Sequence, residues 1–418
     1  MVGYLTRSRF AGAASPRRPD IACRFPIALF RASIPSGNVA ILANAPKKNK
    51  IKRVFCCALV IVAAMALAPP RASADSRRFL PQILVSSTIP PNGDLNPYGI
   101  AFVPPGFPTA GALRSGDVLV SNFNNSNNLQ GTGTTIITLR PSGGAAAPDT
   151  KANVFFQGKP PLGLTTALGV LQRGFVVVGS VTTLDGTSRT VAGGPLLFID
   201  QKGMLVYSFS TNLDGPWDLE IIDNYNTAKV FVSNVLSGTV IRIDVSLPNS
   251  ETVKVTSVTQ IAAGYQHRTD PAALVLGPTG LALDRDADVL YVASTADNAI
   301  FALSNPGSAG PSSGRGKLVF TDPHLRGPLG LALAPNGNLL TSNGDAVNPD
   351  PAHPSEIIEF TKSGKFVGEY NIHQNQGGAF GIATFTLQDK SDEGRQINLL
   401  GVVNDNTSNV SVTTIDLP

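Results

Sequence analysis

A short phrase returns six times along this chain, and such a repeat limits the possible folds more than any other feature of the sequence. Each copy joins a Gly- or Pro-containing cluster to the start of a strand, as in Gly-Pro-Thr-Gly-Leu-Ala at residues 277–282. The copies lie 50 to 64 residues apart, anchored at Gly99, Gly163, Asp218, Gly280, Gly330 and Gly381. This period fits a four-stranded propeller blade with loops of variable length. We therefore predict an all-β chain that forms a six-bladed β-propeller.

The plan of four strands is clearest after the fourth anchor. Short apolar runs separated by polar turns occupy residues 280–283, 289–293, 299–303 and 317–320. After the sixth anchor only three such runs remain, whereas residues 83–87 form a run before the first anchor. We expect this N-terminal strand of the mature domain to complete the sixth blade and close the ring, which would cover an exposed sheet edge.

The first 74 residues differ from the repeats. A basic stretch at residues 47–53 precedes fifteen apolar residues, 54–68, and the small-residue pattern Ala72-Ser73-Ala74. This order is typical of a cleaved signal peptide, and the apolar run is shorter than the roughly 20 residues that span a bilayer. We expect residues 1–46 to be a disordered extension or a misassigned start, and residues 47–74 to be the signal peptide. Residues 75–418 would then be an exported propeller, periplasmic or extracellular, without a membrane span.

Charge and cysteine content separate the same two parts. Residues 1–74 hold twelve of the 33 Lys and Arg and one of the 29 Asp and Glu, so the remaining 21 basic and 28 acidic side chains give a net charge of −7. An acidic domain has no electrostatic attraction for phosphate backbones, so nucleic acid is not an expected partner. All three cysteines lie before residue 75, so we expect neither disulfides nor thiol chemistry in the propeller.

The repeat resembles the NHL-repeat propellers and the wider six-bladed superfamily of senescence-marker/gluconolactonase proteins and virginiamycin B lyase. The likeness is carried by Gly-Leu-Ala-Leu-Asp at 280–284 followed by Leu-Tyr-Val-Ala at 290–293, and by residues 330–339. In the lactonase branch it would imply a divalent cation, calcium or magnesium, held in the central channel by acidic and Asn side chains. Asp218 would be the metal ligand by position. The lyase branch's Trp-Phe-Thr-Glu signature is missing.

Candidate binding residues cluster where the second strands end. Polar residues follow the second strand in five repeats, and we expect four of them to surround one mouth of the channel: Asn122, Asn234, Asn343 and Asn404. Each amide offers a donor and an acceptor to a polar ligand. The alternative is that each Asn caps its own loop, as Asn commonly does.

The histidines and the single tryptophan are further candidates. His267, His324 and His373 precede anchors, and His353 lies in a long loop of blade five. These side chains form an acid or metal site, or are simply solvated on loops. Trp217, next to Asp218, stacks a sugar or lactone ring or packs between blades two and three.

Two functions remain open from the sequence. The first is a monomeric binding module that recognises a small polar ligand or a protein partner through its loop-rich face, the face carrying the four asparagines. The second is a metal-dependent hydrolase or lactonase acting on a small polar substrate in the channel, where a cation polarises a carbonyl and activates water. No catalytic residue can be assigned, because no nucleophile motif occurs.

Overall fold

The computed structural model describes residues 78–79, 82–141, 151–344, 346–347, 356–372, 378–388 and 396–415. These residues belong to one compact unit, Pro69–Pro418, and form 27 strands without a helix. Accordingly, no helix of the described part is long and apolar enough to cross a membrane. The expected extension and signal peptide fall outside the described residues and stay predictions.

The described strands form six four-stranded antiparallel blades, each hydrogen bonded in sheet order. Two strands come first, β1 (Arg78–Phe79) and β2 (Gln82–Ser87). Blades one to three then follow as β3 (Leu95–Phe102), β4 (Val118–Asn124), β5 (Thr135–Leu139), β6 (Asn153–Gln157); β7 (Leu164–Leu171), β8 (Phe175–Thr182), β9 (Ala192–Asp200), β10 (Leu205–Phe209); and β11 (Pro216–Asp223), β12 (Thr227–Asn234), β13 (Thr239–Asn249), β14 (Thr252–Ala263).

A short hairpin follows blade three in the sequence and precedes blade four: β15 (Arg268–Asp270) and β16 (Leu274–Leu276). Blades four to six are formed by β17 (Pro278–Asp284), β18 (Val289–Ser294), β19 (Ala299–Ser304), β20 (Lys317–Phe320); β21 (Pro328–Leu333), β22 (Leu339–Asn343), β23 (Ile357–Phe360), β24 (Phe366–Asn371); and β25 (Ala379–Gln388), β26 (Gln396–Asn404), β27 (Asn409–Thr414). The innermost strands contact one another in ring order, and β25 returns to β3. The predicted six-bladed propeller is confirmed.

The ring closes through the N-terminal strands. β2 pairs antiparallel with β27, so that Val85 lies opposite Ser411 and Ser87 opposite Asn409. This confirms that the first strand supplies the outer strand of blade six. β1 adds an unexpected fifth strand to blade five, parallel to β24. The segment before blade one therefore attaches to two neighbouring blades.

Each pair of neighbouring blades encloses its own apolar cluster. Blades two and three share a cluster that includes Phe175, Phe198 and Val230, all fully buried, and blades four and five share one around Phe320 and Phe360, whose rings stack at 4.3 Å. Because the blade faces pack on each other, the strands read as short continuous apolar runs. Stability is therefore distributed around the ring.

Glycine at the anchors allows inner strands to approach closely. A Cβ on Gly99 would lie 2.7 Å from the carbonyl oxygen of Thr165, and one on Gly330 would lie 2.6 Å from that of Phe380. No side chain fits at such distances. Backbone therefore approaches backbone at these two anchors.

The prediction of Gly163 as the second anchor is wrong. Ser121 Oγ donates to the carbonyl of Thr165 at 2.8 Å, as Ser233 Oγ donates to that of Thr279 at 2.7 Å. Since Thr279 immediately precedes Gly280, the residue after Thr165 holds the anchor position. Blade two therefore has Thr166 there. Gly163 instead lies before β7 in a left-handed conformation, at φ 62°.

Candidate active site in the central channel

All six inner strands line a central cavity of about 470 Å³. Most of its wall is aliphatic side chain and backbone, and the ionisable side chains that line it are Asp218, Glu220 and Arg285. Asp218 and Glu220 lie two residues apart on β11, so the strand's alternation places them on the same side. Arg285, just past the end of β17, is exposed. The charged part of the channel is therefore built by blades three and four.

Asp218 links these two blades. Its Oδ2 accepts a hydrogen bond from the backbone N–H of Leu281 at 2.9 Å, and its Oδ1 accepts one from that of Leu219 at 2.9 Å. Desolvation raises the pKa of Asp218 well above its ordinary value, although both N–H groups favour the charged form. The side chain keeps part of its surface open to the channel.

Glu220, two residues after Asp218 on β11, likewise accepts backbone N–H groups from its own blade and from blade four. Burial raises the pKa of Glu220 from 4.5 to about 7, against the hydrogen bonds from the N–H groups of Ile221 and Leu283 and the positive charge of Arg285. Arg285 itself donates from Nη2 to the carbonyl of Ile221 at 2.6 Å. A carboxyl group whose pKa is near 7 can both accept and donate a proton at neutral pH.

The described residues of the channel do not fit a calcium or magnesium site. Among the described residues, no three His, Cys, Asp or Glu side chains lie close enough to hold a metal ion. The two channel carboxylates already accept backbone N–H groups, whereas calcium takes about 6–8 oxygen ligands. The metal-binding role expected for Asp218 therefore has no supporting ligand set among the described residues and stays a prediction.

Aromatic rings close the end of the channel on the loop-rich face. Tyr98 stacks on Phe380 with centroids 3.8 Å apart and on Phe123 at 4.3 Å. Trp217 approaches Tyr98 at 5.8 Å and Phe123 at 5.7 Å. Because Trp217 is on blade three and its partners are on blades one and six, these contacts cross the ring. We term Tyr98, Phe123, Trp217 and Phe380 the aromatic plug.

Trp217 does not lie where the sequence predicted. The side chain is 2% exposed and packs across the ring axis, not between blades two and three. The carboxylates and the loop-rich mouth are therefore separate places, although Trp217 and Asp218 are adjacent in sequence. An inner strand turns successive side chains in opposite directions.

The four asparagines are buried and hydrogen bonded to the protein. Their exposures are between 0% and 3%, and three of them donate from Nδ2 to the carbonyl of a residue that leads into their own blade: Asn122 to Thr88 at 3.0 Å, Asn234 to Asn212 at 3.1 Å and Asn343 to His324 at 3.1 Å. Asn404 Oδ1 accepts from the N–H of Thr407 at 2.9 Å. These contacts match the loop-capping alternative, and ligand binding by the four amides stays a prediction.

The histidines do not assemble into one site in the described residues. His267 is exposed and its Nδ1 lies 3.0 Å from the carbonyl of Tyr265. His324 stacks on Phe366 at 4.1 Å, and its Nδ1 lies 2.5 Å from Asp322 Oδ1. His353 and His373 lie outside the described residues. A shared role for the four stays a prediction.

Sequence reasoning found Asp218 but missed Glu220 and Arg285. The signal for Glu220 was available, because a strand that places Asp218 at the channel also places the residue two positions later there. Arg285 was less accessible, since it lies in the Asp-rich turn at 284–288 and only the packing of β17 beside β11 brings it to Glu220.

These features define a six-bladed β-propeller with a charged central channel. No protein-family model matches the sequence. No curated protein sequence matches it either. Solved structures similar to the chain include virginiamycin B lyase from Staphylococcus aureus, 14% identical over 80% of this chain and 89% of that one, with a TM-score of 0.42. A gluconolactonase from Xanthomonas campestris is 12% identical over 80% and 95%, with a TM-score of 0.45.

A calcium-binding protein, regucalcin, from Agrobacterium tumefaciens is 11% identical over 78% of this chain and 92% of that one, with a TM-score of 0.46. Likeness at this level does not extend to activity or to metal binding.

Proposed function

We propose that the chain is a hydrolase of the lactonase or esterase type that acts on a small polar substrate in the central channel. The observation that supports this is the pair of carboxyl groups on β11, Asp218 and Glu220, both with raised pKa values and both lining one cavity. Two carboxyl groups with raised pKa values in one cavity are candidates for acid and base roles.

The two side chains would divide the chemistry between them. Glu220, as the carboxylate, accepts a proton from a water molecule whose oxygen forms a bond to the substrate carbonyl carbon. Protonated Asp218 donates a hydrogen bond to the carbonyl oxygen while that oxygen gains charge. The bond from carbon to the leaving oxygen then breaks, and Glu220 returns its proton to that oxygen. Arg285, exposed at the channel end, attracts a substrate that carries negative charge.

A panel of lactones and carboxylic esters tests the proposal, assayed with the wild type, Glu220→Gln and Asp218→Asn. Glu220→Gln should lower kcat at least 100-fold, in line with loss of an acid–base group. Glu251→Gln changes an exposed carboxylate and should leave kcat unchanged. Added calcium or magnesium, or a chelator, should not change the rates. Equal turnover by Glu220→Gln and the wild type would contradict the proposal.

Export and the oligomeric state are the subjects of two further proposals. We propose that the chain is exported after cleavage at residue 74, and that the propeller is a monomer. Sequencing of the N-terminus of the secreted protein and light scattering test them. A secreted chain that still starts near residue 1, or a dimer, would contradict the respective statement.

A second function is binding without turnover, through the loop-rich face. It is favoured by a second pocket on that face, which shares no lining residue with the channel.

A further inference from the structure

A second, smaller pocket lies over the aromatic plug on the loop-rich face. Its volume is about 200 Å³. Tyr98, Trp217 and Phe380 form its base, and Ala272, Ala273 and Val275 from the β15–β16 hairpin form another part of its wall. None of its lining residues lines the channel cavity. The plug therefore separates two cavities on the same ring axis.

Two buried polar atoms at this pocket lack a partner. Trp217 Nε1 and Asn96 Oδ1 make no hydrogen bond with any described residue, and both side chains line the pocket. Trp217 is 2% exposed, so water does not reach its N–H group. A buried donor without an acceptor costs free energy and calls for an explanation. One explanation is a ligand that supplies an acceptor to Trp217 and a donor to Asn96.

The hairpin that covers the pocket has a strained backbone. Leu274 has φ 63°, a left-handed conformation that is unusual for a bulky residue. Leu274 and Val275 pack into the same apolar cluster as Trp217. Only three residue pairs join β15 to β16. Because this short hairpin packs in the same cluster, its displacement would change the contacts of the Trp217 side chain.

The lining also limits the shape and the charge of a ligand. Both faces of the Tyr98 ring are covered, by Phe380 at 3.8 Å and by Phe123 at 4.3 Å. Together with the tilted ring of Trp217, this stack makes the base of the pocket aromatic, which favours a ligand with a planar ring. Among the described lining residues the one ionisable acid is Asp405, and no Lys or Arg is present. An anion would therefore find no cationic partner there.

We propose that this pocket binds a small uncharged molecule with one planar ring and an amide-like group, whose oxygen accepts from Trp217 Nε1 and whose N–H donates to Asn96 Oδ1. The hairpin moves aside when the ligand enters. This site is independent of the hydrolase proposed for the channel, and its ligand is not the substrate of that reaction.

The single tryptophan of the chain makes the site directly observable. Benzamide is the probe, titrated into the full protein while Trp217 emission and heat are recorded. We expect a saturable emission change and one-to-one binding. Benzoate, which is anionic, and cyclohexanecarboxamide, which is not planar, should bind at least tenfold more weakly. No saturable binding of benzamide, or tighter binding of benzoate, would overturn the proposal.

Variants locate the binding. Trp217→Phe keeps a ring but removes the donor, and should weaken benzamide binding at least tenfold by calorimetry. Asn96→Gly suits the left-handed φ of 59° and should weaken it as well, so the test survives if the Trp217 variant does not fold. Tyr265→Phe removes a hydroxyl from another buried ring, bonded to Arg315 at 2.9 Å, and should leave binding unchanged.

Glu220→Gln should also bind benzamide normally, because Glu220 lies in the other cavity. Loss of binding in Glu220→Gln with retention in Trp217→Phe would place the probe in the channel and overturn the proposal. Failure of the hydrolase assays has no bearing on this result, since the emission of Trp217 reports binding alone.

Discussion

Asp218 Oδ2 accepts a hydrogen bond from the backbone N–H of Leu281 across the seam between blades three and four, at 2.9 Å. At the next seam the equivalent N–H belongs to Leu331, and a Cβ on Gly280 would lie 2.6 Å from it. The carboxyl group of Asp218 therefore occupies space that blades four and five fill with each other's backbone. Thr166 and Asp218 are the two anchors without glycine, and Asp218 puts an acid at the centre of the ring.

Asp218→Gly restores the residue of four other anchors. We expect the free energy of unfolding at pH 7 to stay within about 1 kcal/mol of wild type, because losing a desolvated carboxyl offsets the loss of a hydrogen bond and the added backbone freedom of Gly. Hydrolysis of the lactone substrate should fall at least tenfold. Urea unfolding and the lactone assay measure both. A loss of several kcal/mol would show that the carboxyl group is structural.

Glu220→Gln should change how stability depends on pH. The pKa of Glu220 is raised from 4.5 to about 7 in the folded state, so the folded chain holds this proton more tightly than the unfolded chain. Its contribution is full below about pH 4.5 and is lost as pH rises to about 7. Relative to wild type, the variant should therefore gain stability over this window, by at most about 3 kcal/mol. Parallel curves for the two proteins would refute the shift.

Gly381→Ala should be among the most damaging small changes. A Cβ at this position would overlap the carbonyl oxygen of Tyr98, where blade six meets blade one. We expect a loss of about 3 kcal/mol or more, since inner strands must separate. Gly310→Ala is the control: nothing lies within 4 Å of its Cβ, so stability should stay equal or rise by about 0.4–1 kcal/mol. Similar melting temperatures for the two variants would contradict the close approach.

Ser121→Ala should weaken the seam between blades one and two. Ser121 Oγ accepts from the N–H of Gly99 at 2.9 Å and donates to the carbonyl of Thr165 at 2.8 Å, with no exposed surface. Its removal leaves two buried groups unpaired, at a cost of about 1–3 kcal/mol. Ser363→Ala, at an exposed turn, should cost less than about 0.5 kcal/mol. Chemical denaturation of both variants decides whether the two hydrogen bonds of Ser121 stabilise the ring.

Deleting residues 79–88 removes β2 and part of β1. The chain should then fail to give a cooperative melting transition, because β27 becomes an exposed edge and the ring is open. An unchanged transition after this deletion would disprove closure by β2.

The repeat period was sufficient to predict the number of blades, the closing strand and the glycine anchors, because each follows from local pattern and from covering a sheet edge. The prediction of the second anchor was wrong because the sequence around Gly163 resembles the other anchors. The hydrogen bond from Ser121 to Thr165 shows that Thr166 is the equivalent residue. A strand's register is set by its neighbours, which a single sequence does not display.

The candidate site was harder to predict. Asp218 stood out as an exception to the repeat, but its meaning depends on Leu281 and Arg285, which lie more than sixty positions away. Trp217 and the four asparagines looked available at the mouth, yet packing across the ring and loop capping bury them. Burial of polar side chains arises from tertiary contacts, and residue type alone does not reveal it.

Closure by the first strand also determines when the protein can be completed during synthesis. Thr88, just after β2, donates to the carbonyl of Ser408, 320 positions later, so β2 emerges from the ribosome long before β27 exists. Until then it is an unpaired strand, the kind of edge that joins other chains. The alternation of exposed Val85 and Ser87 with buried Leu84 and Ser86 leaves this strand half polar. Until blade six is complete, the nascent chain therefore holds an unpaired strand whose apolar side chains, Leu84 and Val85, can associate with other chains.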